Sequence, residues 1–366
     1  MRRIIPWILA VFLAAAAAPA QAAGVDVEGA QADALELDKL ETAAEQYTGG
    51  AVGLDTGLDN GLRILLDNGS QQMTGILSGA VRSGVLLLTV VLLCGVAEGI
   101  VQGKEKGGVD AVAVAGSLAV TALAVTDVNS LIGIGKKAVE DMDFFSKVLL
   151  PVVTAAAAAG GSPGGATARQ LATVLFSNVL VGLIDGLLLP MTYVYIVACT
   201  AYAALGNEGL KRIGAAVKWV VTASLTTLVL IFVAYLTVSG AVAGSTDAAA
   251  VKAAKMAVSG AVPVVGGILS DAAETILAGA GIIKNTVGVF GMLVVLAMCV
   301  TPFLQLGIHY LVYKGVSAVT ATVSQGRVAA LIDSIGGAFG LVLGMTGSCA
   351  LLLLVAITSA LCVAGG

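Results

Sequence analysis

The sequence predicts an all-α, polytopic membrane protein with about six to eight transmembrane helices. Of its 366 residues, 58% are hydrophobic and 11% are charged, whereas soluble domains have about 25% charged residues. So few charges cannot cover a globule in water, so most of the exterior must face lipid. The 47 glycines show no collagen period and suit helices that pack closely in a bilayer. Net charge is −4, without a basic run, so no role with nucleic acid is expected.

The first 22 residues have the three parts of a signal peptide. Arg2 and Arg3 precede an apolar stretch over residues 4–18, and Ala20-x-Ala22 fits the small-residue cleavage rule. The apolar stretch would be a helix of about 22 Å, which is shorter than the roughly 30 Å hydrocarbon core. We therefore expect residues 1–22 to be a signal peptide that is cleaved after Ala22.

Residues 23–75 form an acidic segment that we expect outside the cytoplasm. The segment contains many acidic residues but only two basic ones, Lys39 and Arg63. The pattern of Leu35, Leu37, Leu40, Ala43 and Ala44 predicts a short amphipathic helix, followed by glycines. A solvated spacer is the favoured interpretation, and a docking arm is the alternative.

The polytopic domain covers residues 76–366. Each clear span is long enough, at about 19 residues or more, to cross the hydrocarbon core. These spans are residues 83–101, 112–134, 186–205, 219–242, 287–313 and 335–363.

Charge in the loops predicts the orientation of these spans. With the acidic segment outside, three loops fall on the cytoplasmic side, and the C-terminus lies outside. Each of these loops is basic, as the positive-inside rule requires; their cations are Lys104 and Lys106, then Lys211, Arg212 and Lys218, then Lys314 and Arg327.

Two regions are predicted to be hairpins broken by glycine or proline. Residues 148–159 and 171–184 are each too short to cross, and 171–205 as one helix would be too long, at about 52 Å. A break is therefore expected near Asp185, with either three tilted short crossings or one crossing plus a re-entrant pair.

The second broken region runs from residue 246 to 285. Polar residues at 245, 252, 255 and 259 predict an interfacial amphipathic helix, which a Pro/Gly break follows. Asp271 and Glu274 then resemble a capping box at a helix start. Pro151 and Pro190 recur as Pro263 and Pro302, in both cases 112 residues later, so an internal duplication is possible.

No catalytic, metal or cofactor site is predicted, so we expect a protein that is not an enzyme. His309 is the single histidine, which excludes an HExxH zinc site, and no P-loop is present. Several ionisable residues fall near the predicted helix ends, which argues against ion-coupled transport; they are Arg82, Asp110, Asp127, Asp185 and Lys284. The five cysteines lie in apolar stretches and are expected to be small buried hydrophobes.

Small residues recur at four-residue spacing on the last span. Gly336, Gly340 and Gly344 predict close helix packing. Packing within the chain is favoured, and packing between chains stays open.

Three segments carry a resemblance to a known family: residues 239–247 (SGAVAGSTD), 263–272 (PVVGGILSDA) and 283–288 (IKNTVG). With the leader, acidic segment and polytopic body in this order, the chain resembles the stage III sporulation protein AE family over most of its length. That resemblance implies a part in endospore formation, in the mother-cell membrane that faces the forespore. It further implies a channel or secretion-like complex with ring-forming membrane partners and an ATPase.

The broken hairpin is the candidate site. We predict that it lines a pore or forms a docking surface, through Lys255, Pro263, Gly266, Gly267, Asp271, Lys284 and Asn285. The alternative function is a secondary transporter or permease for a small solute.

Overall fold

The structure, a computed structural model, describes residues 37–101, 111–159, 163–261, 266–323 and 326–362. For some helical residues it describes the backbone but not the side chain; these are 98–101, 157–159, 163–169, 237–261, 266–284, 323 and 359–362. These residues are helical except at 49–57, 206–207 and 326. The predicted signal peptide, Asp110 and Pro263 lie outside them. The helices are α1 Leu37–Thr48, α2 Leu58–Val101, α3 Ala111–Ala159, α4 Pro163–Leu183, α5 Leu189–Leu205, α6 Glu208–Ala261, α7 Gly266–Val323 and α8 Arg327–Cys362.

Six helical stretches in the described chain are long and apolar enough to cross a membrane. Each contains most of one predicted span, and the all-α polytopic prediction is confirmed. The stretches are Leu58–Ala97, Ala111–Ala156, Gln170–Leu205, Glu208–Leu236, Asn285–Thr322 and Arg327–Thr358.

Helix α1 is the predicted amphipathic helix of the acidic segment. Leu37, Leu40 and Ala44 are buried on one face, and the helix packs against α3 and α7. It ends at Gly49, whose φ of 60° is in the left-handed region that glycine adopts without steric cost. Residues 37–48 are therefore part of the folded body, and the solvated-spacer interpretation is wrong for them.

The helices are longer than the spans that the sequence predicts. Helix α3 has 49 residues, or about 73 Å, and runs through the charged stretch that we expected to be a loop after residue 134. Ion pairs one turn apart join Lys137 to Asp141 at 2.9 Å and Lys147 to Asp143 at 2.6 Å. Such pairs favour a helix, so the charges project from α3 without ending it.

The expected break near Asp185 is a π-helical turn. Residues Ile184–Leu188 join α4 to α5, and the Leu189 N–H donates to the Ile184 carbonyl, five residues back. A π turn inserts into a helix without ending it. Residues 170–205 are consequently one candidate crossing, and both predicted alternatives, three short crossings and a re-entrant pair, are wrong.

The second broken region also differs from the prediction. Helix α6 has 54 residues and continues to Ala261, so the predicted amphipathic helix is its C-terminal part. Helix α7 begins at Gly266, five residues before Asp271. The predicted helix start at Asp271 is wrong, because Gly266 and Gly267 are already helical.

Successive candidate crossings alternate in direction and form an up-and-down bundle, in which α4 and α5 together make one crossing. Helix α3 is antiparallel to α7, since Asp127 meets Tyr313 and Met142 meets Cys299. Helix α2 runs parallel to α7, with Gly61 against Leu293 and Gly84 against Val312. Helix α8 is parallel to α3, with Gly135 against Val342. Helices α7 and α8 are the most buried of the candidate crossings and form the centre of the bundle.

Only Gly206 and Asn207 connect α5 to α6. Gly206 has a φ of 69° and donates its N–H to the Tyr202 carbonyl at 2.8 Å, which closes the last turn of α5. The Asn207 side chain accepts the Gly209 N–H at 2.8 Å and caps α6.

The proposed duplication stays a prediction. Pro151 and Pro302 both lie inside long helices, whereas Pro190 follows the π turn in the first turn of α5. Pro190 and Pro302, which the duplication would pair, therefore differ in local structure.

Candidate functional site

The residues of the predicted hairpin lie on both sides of the α6–α7 connection. Lys255 is in the last two turns of α6, while Gly266, Gly267, Asp271, Lys284 and Asn285 are on α7. Asn285 is exposed, and the side chains of residues 237–284, like Pro263 and the connection itself, lie outside the described part. The pore-lining and docking hypotheses therefore stay predictions about this end of the bundle.

The glycines of α8 face two different helices. A Cβ on Gly336 would lie 3.0 Å from the Tyr313 Cβ, and one on Gly340 would lie 3.2 Å from the Tyr310 ring, both on α7. A Cβ on Gly344 would have only the Leu225 Cδ1 of α6 near it, at 4.0 Å. Gly336 thus marks the closest approach of the three, between α8 and α7.

A half-buried carboxylate lies where α3 meets α7, farther from a helix end than the sequence predicted. Asp127 accepts a hydrogen bond from the Tyr313 hydroxyl at 2.7 Å. Tyr313 is fully buried and packs edge-on against Phe339, which also meets the ring of His309. Asp127 is well inside α3, not near its end, and so occupies a position where ionisable residues commonly serve transport.

Charged side chains cluster farther along α3, beside α1 and the π turn. Lys136 pairs with Asp185 at 3.3 Å and Asp143 accepts from Ser177 at 3.3 Å, which links α3 to the π turn and to α4. Tyr47 of α1 packs on Phe145 with ring centroids 6.4 Å apart. Burial, followed by the nearby negative charge of Asp141, raises the pKa of Tyr47 above its usual 10.0.

A polar cavity lies between α5, α6, α7 and α8, at the end of the bundle that holds Gly206. It measures about 540 Å³, and its lining includes two ammonium groups, four hydroxyls and one carboxylate, from Lys211, Lys218, Tyr195, Tyr202, Ser317, Ser334 and Asp333. Asp333 accepts from Lys314 at 2.7 Å. The nearby Glu208 lies 3.5 Å from Lys211. Both carboxylates therefore already have a cation beside them.

A second cavity has the opposite character. It measures about 710 Å³ and lies between α2, α7 and α8, lined by apolar side chains that include Leu66, Met73, Phe303 and Leu351. None of its lining residues is charged, so it offers no group that would orient an ionic ligand.

Sequence reasoning missed the polar cavity because its residues come from four helices far apart in the chain. The lysines were visible only as basic loop residues. Asp127 could have been recognised from its place well inside an apolar stretch, but its partner Tyr313 lies 186 residues away.

The family model for stage III sporulation protein AE matches residues 67–365. The chain belongs to the stage III sporulation protein AE family. One relative, the stage III sporulation protein AE of Bacillus subtilis (strain 168), is 24% identical over 262 residues, which cover 69% of this chain and 64% of that protein. The match therefore spans slightly less than two thirds of the relative's length. No solved structure matches.

Membership of the stage III sporulation protein AE family accords with the resemblance found in the sequence. The match covers every candidate crossing, although it begins within α2 and leaves α1 outside. The chain is accordingly a sporulation protein with membrane-spanning helices.

Proposed function

We propose that this chain is a non-enzymatic, multi-pass component of a channel or secretion-like complex in the mother-cell membrane that faces the forespore. Its partners would be the other membrane and ring-forming proteins of the stage III sporulation complex and an ATPase. Residues 23–36 and α1 would lie outside the cytoplasm after the signal peptide is cleaved.

The observation that carries this proposal is the family match over six apolar helices. Helix direction supports the proposed orientation, since the alternating bundle brings the ends of α2, α5 and α7 and the starts of α3, α6 and α8 to one side. The basic residues near these helix ends, Lys211, Arg212, Lys218, Lys314 and Arg327, suit a cytoplasmic side. The end of α6 and the start of α7 fall at the opposite side, within reach of an extracytoplasmic partner.

Substitution of the α7 start tests the role of this connection. Gly266→Leu with Gly267→Leu should block sporulation after engulfment while the protein still enters the membrane. Gly315→Leu is a matched control on the same helix, because a Cβ there has nothing within 4 Å. A normal spore yield from the double variant would contradict the proposal.

Crosslinking tests the proposed partners. A photoreactive residue at Ser270 should capture another protein of the complex in sporulating cells, whereas one at exposed Leu230, which faces lipid, should not. Equal capture from both positions would show that proximity at the α6–α7 connection is not specific.

The second candidate function is a secondary transporter for a small solute. The observation that favours it is the half-buried carboxylate of Asp127 at the α3–α7 contact, which accepts a hydrogen bond from Tyr313. A transporter would move solute when the purified chain alone is placed in liposomes, and Asp127→Asn would abolish that flux. A complex component would give no flux by itself.

A further inference from the structure

We infer that α6 and α8 hold an anionic phospholipid, with its phosphate headgroup in the polar cavity and one acyl chain in the apolar groove beneath it. This inference concerns a ligand of the bundle and does not depend on the proposed complex. It rests on the cavity described above, on a groove that continues it, and on the exposed side chains around both.

The cavity carries a cation that the nearby carboxylates do not neutralise. Asp333 is bonded to Lys314, and Glu208 lies beside Lys211. No carboxylate of the described chain lies within ion-pair distance of the Lys218 ammonium. The wall is therefore net positive, which suits a phosphate group, and Lys211 adds a second ammonium nearby.

Gly337 of α8 lies beside two of the polar groups that line this cavity. A Cβ placed on Gly337 would lie 3.2 Å from the Tyr195 hydroxyl and 3.8 Å from the Lys218 ammonium. The Tyr195 hydroxyl and the Lys218 ammonium therefore lie close together at the cavity wall. The ammonium, whose side chain is exposed, can donate to a phosphate.

The same two helices form an apolar groove directly beyond the cavity. On α6 the lining changes from Lys211, Ala215 and Lys218 to Leu225, Val229 and Leu230. On α8 it changes from Ala330 and Asp333 to Gly340, Leu341 and Leu351. The groove measures about 330 Å³, and from Lys218 to Leu230 the helix rises about 18 Å, close to the length of an acyl chain.

The exposed side chains around the cavity place it at headgroup depth. Trp219, next to Lys218, is 71% exposed. Tryptophan favours the membrane–water interface, whereas leucine favours the hydrocarbon. Leu230, farther down the groove, is 63% exposed and continues the apolar surface. A lipid is thus the source of phosphate that this position favours over a soluble anion.

The test uses the full chain in detergent, and it measures retention of phosphatidylglycerol and phosphatidylcholine with matched acyl chains by native mass spectrometry. We expect phosphatidylglycerol to be preferred, and Lys211→Gln with Lys218→Gln to reduce its affinity roughly tenfold or more, as the loss of charge-assisted hydrogen bonds implies. Arg212→Gln removes an exposed charge that does not line the cavity, and should have no effect. Lys218→Arg should keep the preference.

Two further measurements separate the headgroup from the acyl chain. Leu230→Trp should fill the groove and weaken both lipids equally, without changing the preference between them. Inorganic phosphate should raise the thermal stability of the chain less than phosphatidylglycerol does. Equal retention of the two lipids by the unaltered chain, or equal loss in the Arg212 control, would overturn the inference. Stabilisation by phosphate that equals that by phosphatidylglycerol would also overturn it.

Discussion

The Tyr313 hydroxyl donates a 2.7 Å hydrogen bond to Asp127 across the contact between α7 and α3. The ring of Tyr313 is fully buried, and a Cβ on Gly336 of α8 would lie 3.0 Å from its Cβ. This side chain of α7 therefore contacts two other helices, α3 by a hydrogen bond and α8 by close packing. The centre of the bundle depends on both contacts.

Removal of the Tyr313 hydroxyl should destabilise the bundle. Tyr313→Phe keeps the ring packing but leaves the Asp127 carboxyl without this donor. We expect a loss of about 1–2 kcal/mol, measured as a lower midpoint of thermal unfolding in detergent. Tyr310→Phe is the control, since it removes a hydroxyl from the same helix without removing this bond. A midpoint that falls equally in both variants would contradict the role of the Asp127 contact.

The glycines of α8 should differ in their tolerance of a methyl group. Gly336→Ala places a Cβ within 3.0 Å of the Tyr313 Cβ, next to backbone atoms of α7 at 3.6 Å. Because the methyl group would push α7 away from α8, we expect the free energy of unfolding to fall by about 1–3 kcal/mol. Gly344→Ala should be neutral or slightly stabilising, because its nearest neighbour is at 4.0 Å and alanine favours a helix. Equal unfolding midpoints for the two variants would show that the approach at Gly336 is not tight.

The π turn should tolerate the loss of one residue better than the helix that follows it. Deletion of Gly186 would convert Ile184–Leu188 to an α-helical turn and keep α4 and α5 in their present relation. Deletion of Ala201, inside α5, would rotate the residues on one side of it by about 100° relative to the other and misplace Tyr195 or the α5–α6 turn. We expect a monodisperse protein only from the Gly186 deletion, as judged by size-exclusion chromatography. Two aggregated products would contradict this.

Docking of α1 should weaken in alkaline solution. Burial, followed by the charge of Asp141, raises the pKa of Tyr47 above 10.0, so the docked state favours the neutral phenol. The corresponding stabilisation is present below pH 10.0 and is lost as the pH rises through the higher pKa of the docked state. A nitroxide spin label at exposed position 45 should become more mobile as the pH rises through this range. Tyr47→Phe should remove this pH-dependent increase in mobility. An identical transition in Tyr47→Phe would assign it to another group.

The places and order of the six clear spans could be predicted from the sequence, because an apolar stretch of sufficient length has no stable place outside lipid. The number of crossings between residues 148 and 205 could not, and neither could the lengths of the helices. The sequence argument limited each helix to the thickness of the hydrocarbon, but ion pairs such as Lys137 with Asp141 let α3 continue beyond it.

Local breaks were the other source of error. Asp185-Gly186 was interpreted as the end of a helix, yet a single π turn absorbs it, since one extra residue can bulge from a helix without loss of the flanking turns. Contacts between helices were beyond prediction, because Tyr313 and Asp127, or Lys218 and Gly337, have no shared sequence pattern. Only the packed bundle brings them together.

The two-residue turn between α5 and α6 has a consequence for how the chain is made. The connection of two residues, Gly206 and Asn207, is too short for α5 to insert into the bilayer while α6 remains outside it. The two segments should enter as one hairpin during synthesis, with the buried faces already matched. An epitope tag inserted between Gly206 and Asn207 would separate α5 from α6 during synthesis. A tag inserted in residues 102–110 would not separate these two helices.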